Sequence, residues 1–199
     1  FQSWSVGAGG VGTGVVKNVT LRGNVFINRE DPAEPLTNSL QGIGCFDGFF
    51  EGWVVENNVV VVDHWHGISL YGVRQSRIVN NTVIDVNDVS PGPPWIKVAP
   101  HKDGTPSEDV VVRNNLATDY QLEGTNVTED HNTTLQELAS YFVDPAKLDL
   151  HLLPGSPAVD AGSADLAPST DLEGIPRPQC GGFDLGAYEW HEPGVGPGG

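Results

Sequence analysis

Short runs of β-branched residues alternate with Asn and Gly along the first 120 residues, and the runs recur. Between Gly52 and Val86 one phrase appears twice, as WVVENNVVVVD and as SRIVNNTVID. Aligned on the second Asn of each pair, Asn58 and Asn81 lie 23 residues apart. Related phrases stand upstream, VTLRGNVFIN with Asn24, and downstream, DVVVRNNLATD with Asn115; each is 34 residues from its neighbour, the same 23 plus an 11-residue excursion. A fixed period with insertions at one point of the repeat marks a solenoid whose coils carry loops on one side. The Val, Ile and Thr runs fit a pleated, half-buried surface, and no helix-length amphipathic pattern interrupts them. Asn and Gly between the runs suit tight turns, because both tolerate left-handed backbone conformations. About 23 residues hold roughly three short strands and their turns. Stacked coil on coil, Asn24, Asn58, Asn81 and Asn115 are expected to form a ladder, each amide bonding to the next.

Organised in this way, about residues 1–120 resemble the right-handed parallel β-helix family, pectate-lyase-like in the broad sense. The expected fold class is all-β: a right-handed parallel β-helix solenoid of about four recognisable coils with an irregular C-terminal cap. The resemblance rests on a repeat pattern, so it speaks to fold rather than activity. If the Asn columns stack, so do the strands that open each coil, FQSWS, IGCFD, ISLYG and IKVAP. Alternation sends Phe1, Ile43, Ile68 and Ile96 inward, followed by Ser3, Cys45, Leu70 and Val98. Two columns then face outward, Gln2–Gly44–Ser69–Lys97 and Trp4–Phe46–Tyr71–Ala99. The excursions Arg29–Leu40 and Asn87–Pro94 enter just before an opening strand and are expected beside that face. They are read either as one wall of a groove or as neutral loop growth.

From about Asp119 the repeat fades. A short helix is expected around Leu135–Tyr141, then an irregular wrap and a turn at Pro154–Gly155. The remainder resembles the closing segment of many secreted bacterial β-helix proteins, carried by LLPGSPAVDAG at Leu152–Gly162, the D-x-x-G-x-P-R-P stretch Asp171–Pro178, and FDLGAYE at Phe183–Glu189. Its expected role is to cover the apolar end of the last coil, which otherwise invites polymerisation. The organisation is therefore coils over 1–120, wrap and cap over 121–190, and a flexible tail over 191–199. The chain opens on Phe1, contains no Met, and begins with what reads as mid-coil sequence; a processed or truncated chain with coils upstream is the expectation.

Composition narrows the function classes. The 199 residues suit one domain. A net charge of −16 argues against nucleic acid and anionic membranes as partners, and no run of 18 apolar residues exists to insert in a bilayer. Cys45 and Cys180 lie far apart and read as free thiols, Cys45 as a small buried hydrophobe. Oligomeric state is not legible. Against the acidic background, Arg74, Arg77, Lys97, Lys102 and Arg113 gather within 40 residues, with His64, His66 and His101 nearby. That concentration suggests an anion site, and a uronate polymer fits it. Lyases and C5 epimerases of such polymers must neutralise a carboxylate, remove the C5 proton and deliver a proton. His66, Tyr71, Arg74, Lys97 and His101 supply those types and are the catalytic candidates; Gln2, Trp4, Phe46, Ser69 and Lys102 are the substrate-binding candidates. Trp4, Phe46 and Tyr71 are read as a sugar platform or as aromatics covered by loops. Arg77 and Arg113, beside the Asn turns, are expected to face solvent elsewhere.

Other chemistries have thinner support. His64 and His66 in DHWH share one side of a strand, but no third metal ligand is evident. No pair of carboxylates occupies adjacent outward positions, as a glycoside hydrolase needs. Calcium on Asp side chains and turn carbonyls is compatible with the acidity, although no loop motif for it exists. Two function classes follow: an extracellular or cell-surface enzyme acting on an acidic polysaccharide by β-elimination or C5 epimerisation, and a non-catalytic glycan-binding, adhesive or phage tail-type β-helix.

Overall fold

The structure is a computed structural model describing residues 1–28, 33, 39–87 and 89–192; most of the Arg29–Leu40 excursion lies outside the described residues. Three parallel sheets run side by side, and the chain visits them in turn. The first holds Gln2–Trp4, Ile43–Asp47, His66–Tyr71, Trp95–Ala99 and Asp119–Leu122 in that order. The second is bent, with Val15–Lys17 and Thr20–Arg22 on one strand pathway, then Phe49–Glu51 and Val54–Glu56, Val73–Val79, Glu108–Arg113 and Thr125–Asp130. The third holds Val25–Ile27, Val59–Val61, Thr82–Ile84, Leu116–Ala117 and Thr133–Thr134. Every strand pair in these three sheets is parallel. This is a parallel β-helix. Its ladders continue through Thr134, past residue 120 where the sequence repeat fades.

The Asn ladder has the expected bonds. Nδ2 of Asn24, Asn58, Asn81 and Asn115 donates to Oδ1 of the following Asn at 2.9, 2.9, 3.0 and 2.9 Å. The same oxygens accept the backbone N–H of those residues at 2.9 to 3.0 Å. The fifth member is Asn132, 17 residues after Asn115, where the repeat phrase has become NVTEDHNTT. Each ladder Asn follows a left-handed residue: Gly23, Asn57, Asn80, Asn114 and His131, with φ from 49° to 66°. Asn and Gly accept that conformation at low cost, which explains the NN and GN pairs.

Alternation is as expected over most of the first sheet. Ile43, Cys45, Ile68, Leu70, Ile96 and Val98 are all fully buried in one apolar cluster with Phe50, Trp53, Val55, Ile78 and Val112. Phe1 departs from expectation: it is 46% exposed, with its ring 6.3 Å from that of Trp53. Cys45 and Cys180 are free thiols, the first buried and the second exposed. Burial pushes the Cys45 thiol up. Arg77 and Arg113 are not idle surface charges. Arg77, with Arg22, flanks the buried Glu56 carboxylate, and Arg113 pairs with Asp130.

The third sheet is apolar on both faces. Val60, Val83 and Ala117 point into the solenoid, whereas Val59, Val61, Ile84 and Leu116 point out and pack against Leu135, Phe142, Leu150, Leu152, Ala158, Leu185 and Ala187. The closing segment thus lies along the flank of the solenoid, and the expectation that it covers the last coil's open end is corrected accordingly. Within 135–141 only Leu138–Ser140 forms a 3-10 turn rather than the helix expected there. The motif residues of the segment build an ionic lock: Arg177 and Glu189, both fully buried, pair at 2.6 Å. Asp171 accepts from the backbone of Ile175 and Glu189, and Asp184 from that of Asp160 and Trp190. The lock then grips the coil turns, through Asn57 Nδ2 to Thr170 O at 2.6 Å, Asn80 Nδ2 to Asp184 O at 3.0 Å, and Ala187 N to Thr82 Oγ1 at 3.0 Å.

Asn81 is fully buried, and its amide bonds to Asn58, Asn115 and Val55 O. Buried polar groups left unpaired cost about 1–3 kcal/mol each. Asn81→Ala should therefore lower stability by roughly 4 kcal/mol in denaturant unfolding, and Asn24→Ala, at the partly exposed end, by about 1 kcal/mol. Equal losses would show that the ladder does not hold the coils together.

Candidate functional site

The outward face of the first sheet carries a cluster of polar and aromatic side chains. Register sets His66 beside Trp95, and Ser69 beside Gly44 and Lys97, with Gln121 next in the row and Tyr71 beside Ala99. A bulge at Gly67 shifts the pairing. A Cβ there would stand 2.3 Å from Val83 and 2.9 Å from Trp95 O, so glycine permits the close approach that brings the Trp95 indole to His66. Gly44 acts similarly: the Phe46 ring folds back over the place where a Cβ would be, 2.2 Å away. Folded so, Phe46 meets the His66 ring at 4.8 Å and the Tyr71 ring at 5.8 Å between centroids.

Ser69 organises this face from beneath. It is fully buried, accepts from Trp95 Nε1 at 2.9 Å, and lies 2.9 Å from His66 Nδ1. A buried hydroxyl that has accepted one hydrogen bond needs an acceptor for its own proton. His66 Nδ1 is that acceptor, which assigns the His66 proton to Nε2. Burial, then the neighbouring His64, then the Lys97 charge, press the His66 pKa down to about 4, so the imidazole is neutral at pH 7. Burial raises the Tyr71 phenol, which stays protonated. Lys97 Nζ is hydrogen-bonded to Gln121 Oε1 at 2.8 Å and lies 4.8 Å from the Trp95 ring centroid and 6.0 Å from that of Tyr71. Trp65, 44% exposed, stacks nearly parallel to Trp95 at 6.2 Å. The face therefore offers an ammonium group, two donating side chains and a pair of flat indoles.

Charge pairing singles out the same region. Among the described residues every Lys and Arg has a carboxylate within 4.0 Å except Arg74 and Lys97.

The ten sequence-predicted residues divide into three groups. His66, Ser69, Tyr71, Lys97 and Phe46 come together, although Ser69 lies beneath the others and offers nothing to solvent. Arg74, His101 and Lys102 form a second group round the corner at Gly72, with Asp47 and Phe49. His101 is buried there, its ring 4.5 Å from Phe49, and Lys102 Nζ lies 2.6 Å from Asp47 Oδ1. Gln2 and Trp4 stand apart at the first strand: Gln2 bonds Gln41, and Trp4, 61% exposed, pairs with Asp47 rather than Phe46 because the register slips after Ser3. Sequence reading missed Trp65, Trp95 and Gln121. Trp95 precedes the aligned strand, and only the Gly67 bulge places it; the fading repeat hid Gln121.

In DHWH, His64 and His66 stack at 5.2 Å, whereas the Asp63 carboxylate turns away to Asn28 and Asn87. Among the described residues no group of three or more His, Cys, Asp or Glu is placed to hold a metal ion. A separate recess of about 580 Å³ lies between 85–87, 89–93 and Thr118, Leu135, Gln136 and Leu138, and none of the predicted site residues lines it.

The chain matches no family model and no curated protein. Among solved structures it is similar to the crystal structure of pectate lyase Pel9A, at 15% sequence identity and a TM-score of 0.36, over 86% of this chain and 59% of that one. The chain thus spans under two thirds of that protein's length, and so distant a likeness does not bear on the site.

The geometry makes His66 a neutral hydrogen-bond donor. In an NMR titration its ring should keep the neutral, Nε2-protonated signature down to about pH 5, with a midpoint near 4. Lys97→Met, which removes one of the depressing charges, should raise that midpoint. A wild-type midpoint near the unperturbed ~6.5 would refute the buried, hydrogen-bonded arrangement.

Proposed function

We propose that this chain is a right-handed parallel β-helix, extracellular or cell-surface, that recognises an acidic, uronate-containing polysaccharide on the outward face of its first sheet. Right-handedness follows from the strong rule for connections between parallel strands. The observation that carries the functional reading is the position of Lys97, a cation with no carboxylate partner among the described residues, set between the Tyr71 and Trp95 rings. A sugar carboxylate would meet Lys97, while the C–H face of a pyranose lies on an indole. The donors Tyr71 Oη and His66 Nε2 suit sugar oxygens. The net charge of −16 repels a polyanion at long range, but that field is screened beyond about 8–10 Å at physiological salt. Local cations then decide binding.

A second reading, turnover by β-elimination or C5 epimerisation, is favoured by the same trio of neutral imidazole, protonated phenol and ammonium. Tyr71 would deliver the proton and Lys97 neutralise the carboxylate. The missing part is a base. With its proton on Nε2 and a pKa near 4, His66 is a poor acceptor, far from the neutral range in which a general base works best. Turnover would require the Ser69 hydroxyl to rotate and the tautomer to change. Recognition needs no such step and is the better-supported reading.

Isothermal titration against oligouronates and neutral oligosaccharides, with ultraviolet detection of unsaturated products in parallel, separates these outcomes. Binding of uronates alone is expected, weakened roughly tenfold by Lys97→Met, as loss of one charge-assisted contact implies. Unsaturated product that vanishes with Tyr71→Phe would establish elimination. An unchanged affinity in Lys97→Met would sink the assignment of the face.

A further inference from the structure

The second unpaired cation, Arg74, lies round the corner from the first. It follows Gly72 on the next sheet, in register between Glu51 and Glu108. Neither carboxylate pairs with it; Glu51 binds Lys17 instead. Arg74 packs its guanidinium 5.1 Å from the centroid of the Phe49 ring, and the His101 imidazole approaches the same ring at 4.5 Å. The Arg74 Nε atom is buried without a hydrogen-bond partner, and its side chain makes no hydrogen bond or ion pair with any described residue. His101, with 3% of its side chain exposed, has Nδ1 3.0 Å from Asp103 Oδ1, while Nε2 is likewise unpartnered and stands 3.8 Å from Asp47 Oδ1. Two buried nitrogens without partners, on side chains that both pack against one aromatic ring, are an anomaly, since buried polar groups are normally satisfied.

The corner is built rather than accidental. The loop at 100–106 doubles back across Gly72, where a Cβ would stand 3.0 Å from both His101 Cβ and Gly48 O. His101 O accepts from Gly104 N at 2.8 Å, and its N–H donates to Thr105 O at 2.8 Å. Asp103 is fixed by Thr105 N at 2.8 Å, and the hydrogen bonds from Thr105 and His101 hold its carboxyl low. The loop also sets Lys102 against Asp47, which pairs that carboxylate. Arg74 is thereby left as the uncompensated charge of the corner.

The structure assigns to Arg74, stacked on Phe49 beside His101, a second anion subsite, which takes the acidic group of a sugar further along the same polymer than the one at Lys97. The inference rests on the reading of the first sheet as a polyanion-binding face. Guanidinium geometry suits a planar carboxylate held by two parallel N–H···O bonds, and the ligand class is a carboxylate- or sulfate-bearing polysaccharide. The two cations lie on different sheets either side of the Gly72 bend, so the proposal places them under different sugars of one chain.

The test is binding against chain length, by titration of oligouronates from two to eight sugars, with chain-length-matched sulfated oligosaccharides as a second arm. For the intact chain, affinity should rise with length until the corner is reached and then level off. Arg74→Gln should remove that rise, weakening octamer binding roughly tenfold and dimer binding by less than twofold. Arg74→Lys, which keeps charge but not the planar fork, should restore part of it for sulfate and less for carboxylate. Circular dichroism and the unfolding midpoint verify that Arg74→Gln is folded. Octamer binding unchanged in a folded Arg74→Gln overturns the subsite. Uronate affinity unchanged at every length in Lys97→Met, with no length increment in the intact chain, overturns the face and the subsite together; a length increment that persists in Lys97→Met and is lost in Arg74→Gln supports the corner as an anion site in its own right.

Discussion

One side-chain amide per coil holds the structure in register. Asn58, Asn81 and Asn115 each take a hydrogen bond from the coil before, give one to the coil after, and anchor to a carbonyl of the preceding coil, Leu21 O, Val55 O and Ile78 O respectively. Asn58, Asn81 and Asn115 are fully buried, so a slip of one residue would orphan several buried groups and turn the alternating core outward. The remaining features depend on that constraint. The first sheet lies within each coil at a place fixed by the ladder, and its outward columns align His66 with Trp95 and Ser69 with Lys97 only because the coils cannot slide. Variable coil length, 34, 23, 34 and 17 residues between ladder positions, is absorbed in the excursions, where loop growth is cheap.

Charge distribution then separates cations committed to cohesion from those without a carboxylate partner. Glu56 is held between Arg22 and Arg77, and Glu189 against Arg177 in a fully buried lock; these carboxylates use up cations for cohesion. Removing one partner of such a pair costs far more than the pair contributes, which keeps the cations committed. Among the described residues Lys97 and Arg74 are the ones left over, and both lie against aromatic rings. In a protein this acidic, an anionic ligand has few places to go.

Much of the fold was legible because periodicity reports backbone geometry directly. The Asn period located the ladder, and alternation in ISLYG and IKVAP located the core of the first sheet. Other features depend on contacts that the period does not encode. VVNNVVVV-like continuity at Val59–Val62 arises because the third sheet is buried on both faces, by the solenoid on one and the closing segment on the other. A run with both faces buried loses its alternation, so the flank position of the closing segment could not be read from it. The site was legible in kind and not in grouping. His66, Tyr71 and Lys97 were found by residue type, but the bend at Gly72 carries Arg74 and His101 away from them. Trp95 joins through a bulge at Gly67, a local departure from the repeat used to align the strands.

The most direct test of the account is a crystal structure of the chain with a bound oligouronate long enough to cross the face. The account predicts a sugar ring against Trp95 or Trp65, with its carboxylate on Lys97 and an oxygen within hydrogen-bond distance of His66 Nε2. A ligand seated instead in the recess lined by Asp85, Gln136 and Leu138, with the first sheet bare, would contradict it.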